Sequence, residues 1–79
     1  MMKDKYWIRN YEVDNKIAEL RKEKGLTQEE LADILGYSIY ALRAIERGAA
    51  QPTIRSAYVF CEFFNKRLED VFIFRKRKG

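Results

Sequence analysis

"TQEELADILGYSIYALRAIERG", Thr27 to Gly48, is the stretch on which the reading of the chain turns. Thr27–Gln28–Glu29–Glu30 is a capping box, in which the threonine oxygen accepts the Glu30 amide and the glutamate reaches back. Beyond it, Leu31, Ile34 and Leu35 predict one apolar stripe of a short helix, with Ala32 as a small contact residue. Gly36 stops that helix. Ser38 caps the next, which spans about Ile39 to Arg47 and ends at Gly48. In this second helix Leu42 and Ile45 read as core. Ile39, Tyr40, Arg43 and Ala44 lie at i, i+1, i+4 and i+5, on the other side, with Arg47.

Working outward, Asp14 is a plausible N-cap for a helix running to about Lys24, with Ile17 and Leu20 inside and Gly25 at its end. On the other flank, Thr53 caps a helix to about Phe64. Ile54, Ala57, Phe60, Cys61 and Phe64 follow the spacing of a core face. Leu68 to Phe72 predicts a short fifth helix packing through Leu68, Val71 and Phe72. Residues 3 to 13, "KDKYWIRNYEV", are rich in aromatic and β-branched types at a spacing of two, which predicts an extended segment. Val71 to Arg75, "VFIFR", is strand-like. Tyr6 to Tyr11 and Val71 to Arg75 are therefore candidates for an antiparallel ribbon backed by a helix, with Trp7 packing and the basic tail projecting from it. The organisation expected is an N-terminal extension (1–13), an all-α helical domain (14–72), and a strand-like end with a basic tail (73–79).

The chain of 79 residues is one small domain, 47% hydrophobic and 35% charged. No apolar run reaches the ~18 residues of a membrane span, and the alternating N-terminus is not expected to be a signal peptide. The single cysteine, Cys61, has no internal disulfide partner and fits a reducing cytoplasm, the expected location. Histidine is absent. With no glycine-rich phosphate loop either, no nucleophile and base are visible, so neither catalytic residues, a metal nor a cofactor are expected. Net charge is +4, and removing the basic run Arg75–Lys78 leaves 12 basic against 12 acidic residues. Attraction to nucleic acid would have to come from where charges sit. The tail itself is either a solvated terminus or a basic arm.

Two short helices, a glycine corner and an exposed apolar-to-basic side on the second helix describe a helix-turn-helix. "LTQEELADILGYSIYALRAIERGAAQPT", continued by "PTIRSAYVFCEFFNKRLEDVF", resembles the Xre family of repressors, with its lambda-repressor-like and Cro-like fold, from about Ile17 to Phe72. The resemblance implies five helices and binding to double-stranded DNA as a homodimer, the third helix entering the major groove. It implies DNA contacts from Ile39, Tyr40, Arg43 and Ala44, with Ser38 and Arg47 at the ends of that helix. Gln28 would lie on a phosphate or first base, and Thr27 and Thr53 at helix starts facing the backbone. It also implies a structural ion pair between Arg21 and Glu46. The family commonly has polar or basic residues where this chain has Ile39, Ala44, Ala49 and Ala50, which implies fewer phosphate contacts.

Val59 and Phe63, four apart and flanked by Tyr58, fall off the core stripe of the fourth helix. They are either a dimer contact or are covered by the N-terminal segment. The leading expectation is a sequence-specific transcriptional regulator, a repressor on a palindromic operator. The alternative is an antitoxin or accessory protein whose main role is to grip a protein partner.

Overall fold

The computed structural model describes residues 7–77. Five helices run in order, α1 (Ile17–Glu23), α2 (Gln28–Leu35), α3 (Ile39–Glu46), α4 (Ile54–Phe64) and α5 (Leu68–Val71). A two-stranded antiparallel ribbon joins the two ends of the described chain, β1 (Tyr11–Asn15) with β2 (Phe72–Lys76).

Local chemistry sets most of these boundaries. The capping box at Thr27 is formed, with both reciprocal hydrogen bonds present. Ser38 and Thr53 each accept the backbone amide three residues on. Gly36 ends α2 in the left-handed conformation, φ +66°, where a side chain is strained. Asn65 ends α4 in the same region, φ +54°, as asparagine tolerates better than most residues.

The core gathers one face from every helix: Ile17 and Leu20, Leu31, Leu42 and Ile45, Phe60 and Phe64, Val71, then Phe72 of β2. Cys61 is buried beside them. Burial pushes its thiol pKa up, with repulsion from Glu62 and Glu69 adding to the effect, so it packs as a small neutral hydrophobe. The Tyr37 ring meets Phe60 edge-on at 5.7 Å and pins the α2–α3 corner to α4.

The structure corrects several expectations. α1 begins at Ile17, and Asp14 does not cap it; Asp14 lies in β1 opposite Ile73. Lys16 stands at the N-cap without a side-chain cap, and Asn15 before it accepts the Ile17 amide through Oδ1 at 3.1 Å while its Nδ2 donates to the Ile45 carbonyl at 2.8 Å. Asparagine does both jobs because it carries a donor and an acceptor, which a carboxylate does not. The ribbon forms, but its N-terminal strand starts at Tyr11. Trp7–Asn10 is a 3-10 turn, and residues 3–6 lie outside the described residues. Three residues read as core are exposed: Ile34 (55%), Leu68 (47%) and Ile54 (91%).

The basic end is also not a free arm where it is described. Arg75 reaches Asp14 at 2.6 Å and Glu12 at 3.5 Å, and Arg77 reaches Glu12 at 3.2 Å, all on one face of the ribbon. Lys78 lies outside the described residues.

Truncating Phe60, which is fully buried, to alanine is expected to cost about 3–5 kcal/mol. Ile34→Ala is expected to cost less than about 1 kcal/mol, since over half of its side chain is already in water. Urea denaturation of the two variants against the parent chain checks the assignment.

Candidate nucleic-acid interface

The exposed corner is built on one buried ion pair. Arg21 donates through Nε to Glu46 Oε2 at 2.8 Å and through Nη2 to Oε1 at 3.1 Å, a bidentate arrangement. Its Nη1 donates to the Leu26 carbonyl at 2.9 Å. Only 10% of the arginine side chain and 6% of the glutamate side chain are exposed. The hydrogen bond to Glu46 raises the Arg21 pKa above its already high ordinary value, although burial opposes it, so the group stays charged. The pair joins α1 to the end of α3.

A chain of polar contacts leads from that pair to the surface. Gln28, the first residue of α2, donates from Nε2 to Glu46 Oε1 at 2.8 Å. Its own Oε1 accepts from Arg43 Nε at 3.3 Å. Arg43 Nη2 also donates to Glu29 Oε2 at 3.2 Å. Gln28 and Arg43, singled out separately in the sequence, thus form one network with Arg21 and Glu46. Glu29 is the residue that sequence reading missed. In the first turn of a helix an acidic residue reads as a partner of the helix dipole, and nothing local points it at a residue fourteen positions away.

The remaining candidates divide by exposure. Tyr40 is 77% exposed and Arg47 is exposed, and with Arg43 they lie at i, i+3 and i+7 along α3. Ala44 is half-buried. Ile39 is half-buried and packed against the core, so it shares the first turn of α3 with Tyr40 but offers less surface than its position implied. Ser38, Thr27 and Thr53 are exposed, with their hydroxyl oxygens engaged by the helix amides they cap.

On α4, Tyr58 is 64% and Val59 39% exposed. Phe63 is half-buried against the core, edge-on to Phe64, with the Lys24 ammonium 5.4 Å from its ring centre. The cover over Phe63 thus includes the end of α1, which neither sequence alternative named.

The family model described as "Helix-turn-helix" matches residues 17–71. The chain belongs to this family, in its Xre-like form. It is 42% identical over 59 residues to an uncharacterized HTH-type transcriptional regulator of Archaeoglobus fulgidus, covering 75% of this chain and 84% of the relative. It is 40% identical over 60 residues to another from Methanocaldococcus jannaschii, covering 76% and 91%. A third relative, YgzD of Bacillus subtilis, is 38% identical over 58 residues, covering 73% of this chain and 88% of its own length. The crystal structure of the transcriptional regulator VanUg shares the fold with a TM-score of 0.72 at 16% identity, covering 95% of this chain and all of that one.

Glu46→Ala would leave the Arg21 guanidinium buried without its counter-ion and Gln28 without its acceptor. The expected loss of stability is about 3–5 kcal/mol. Replacing Glu29 with alanine, whose pair with Arg43 is largely exposed, is expected to cost under about 1 kcal/mol. Thermal and chemical unfolding of the two variants checks the contrast.

Proposed function

We propose that this chain is a sequence-specific DNA-binding transcriptional regulator, acting in the cytoplasm as a homodimeric repressor on a palindromic operator. The observation that carries the reading is the outer side of α3. It presents Tyr40, Arg43 and Arg47 on a helix held at a fixed corner to α2. A helix of this width fits the major groove, where an arginine pairs bidentately with guanine O6 and N7. The tyrosine hydroxyl suits a phosphate, and its ring suits a thymine methyl. The names of the archaeal and bacterial relatives, HTH-type transcriptional regulators, support the regulatory part of this reading.

This reading puts the second copy on an apolar face built from α4, α5 and β2. Ile54, Tyr58, Leu68 and Phe74 are all exposed, and they line two adjoining clefts that share Ile54, Ala57 and Leu68. The rim of the larger cleft carries Glu62 beside Lys66 and Arg67. Both signs on one rim allow a two-fold-related copy to pair acid with base, as an isologous contact requires. Of the residues singled out on α4 for this role, Tyr58 lies on the face. Val59 lines a different cleft with Leu35 and Tyr37, and Phe63 is half-buried.

Selection of bound duplexes from a random pool tests the reading. Two inverted half-sites about one helical turn apart are expected. Arg43→Ala is expected to relax preference at one base pair per half-site, by about 1–3 kcal/mol of discrimination. Ile54→Asp, at an exposed position, is expected to leave the monomer folded but shift sedimentation to monomer and weaken operator binding. A chain that enriches no duplex, while co-purifying with another protein, favours the partner-binding alternative.

A further inference from the structure

Arg43 is not offered to the groove as a free side chain. A guanidinium presents five N–H donors in a rigid plane, so gripping one edge aims the others. Here the edge formed by Nε and Nη2 is occupied, Nε on Gln28 and Nη2 on Glu29. Both acceptors sit on the first turn of α2, whose backbone is locked by the Thr27–Glu30 capping box. Gln28 is anchored from behind by Glu46. The Nη1 protons and the second Nη2 proton lie on the edges that Gln28 and Glu29 leave open.

We infer that Glu29 is a specificity-determining positioning residue: with Gln28 it clamps one edge of Arg43, so that the open edge meets a guanine rather than sweeping over phosphates. This rests on the reading of α3 as the helix that contacts DNA. Two physical effects act in the same direction. The clamp removes rotamer freedom from a long side chain before binding, so less entropy is lost when the base contact forms. The Glu29 carboxylate, 70% exposed, also places a negative charge beside the arginine that phosphates would otherwise attract. That repulsion acts on every duplex alike and is offset only where guanine supplies two aligned acceptors, which is discrimination by a repulsive element.

The test uses the full chain with Glu29→Ala, Glu29→Gln, Arg43→Ala and the double variant Glu29→Ala/Arg43→Ala. Each is put through duplex selection and then titrated against the selected site, single-base variants and a scrambled duplex. The parent chain is expected to prefer G·C at one position per half-site, and Arg43→Ala to flatten that preference. Glu29→Ala is expected to lower it about tenfold while raising affinity for the scrambled duplex. Glu29→Gln keeps an acceptor for Nη2 but loses the charge, so it keeps most of the preference and still gains non-specific affinity. In the Arg43→Ala background, Glu29→Ala is expected to change no base preference. Equal thermal midpoints across the set separate these effects from folding. An undiminished preference in Glu29→Ala, or one diminished equally without Arg43, overturns the inference and leaves the proposed function standing. A parent chain that selects no duplex overturns the proposed function and this inference with it.

Discussion

A guanidinium and a carboxylate held almost entirely out of water, Arg21 against Glu46, is the constraint around which the corner of this molecule is organised. Burying either charge alone would be costly, so each must be answered in full. The arginine spends its donors on both Glu46 oxygens and on the Leu26 carbonyl, and Glu46 takes a further hydrogen bond from Gln28. No buried side-chain nitrogen or oxygen among the described residues lacks a hydrogen-bond partner. Such a pair need not add stability over a well-packed apolar substitute. What it adds is geometry. It ties α1, the turn after it, the first turn of α2 and the last residue of α3 to one another through directional hydrogen bonds.

Two other contacts complete the placement of α3. Asn15 ties the Ile45 carbonyl to the start of α1, and through β1 to the ribbon. Tyr37 against Phe60 ties the corner to α4. The third helix is therefore held from its end by polar contacts and from its inner side by Leu42 and Ile45 in the core. Its outer side is exposed at Tyr40, Arg43 and Arg47, and of these Arg43 is tied back to the first turn of α2. A domain of this size has a thin core, so polar anchors of this kind carry more of the orientational work than they would in a larger one.

How much of this was legible in the sequence follows from how local each signal is. Capping boxes, left-handed glycines and threonine or serine caps act within four residues, and α2, α3 and α4 begin where those signals place them. The core was legible only as a set of faces. A 3.6-residue period says that Ile34, Ile54 and Leu68 share a side with buried neighbours, but not whether anything covers them, and among the described residues all three stay exposed. Asp14 is a reasonable cap in isolation, but it lies in β1, and the N-cap position, Lys16, has no side-chain cap. The Ile17 amide is met instead by Asn15, which also donates to the Ile45 carbonyl thirty residues away. At the corner, Gln28 and Arg43 carried signals of their own. Glu29 carried none, because its meaning comes from the α2–α3 packing that brings it to Arg43.

The distribution of charge then constrains any encounter with a polyanion. The chain's formal charge is +4, and several of its cations are paired with carboxylates. Arg75 and Arg77 face Glu12 and Asp14 across the ribbon, and Arg21 faces Glu46 inside. Arg43 itself leans on Glu29. Each such pair is neutral overall, so it leaves the net charge unchanged while holding its cation in one place. Under the proposed function, selectivity rests on short-range contacts that meet one condition. They are aimed before the duplex arrives, so that less side-chain freedom is lost on binding. The chain from Arg21 through Glu46 and Gln28 to Arg43 is an arrangement that meets this condition, converting a buried ion pair into the fixed bearing of an exposed one.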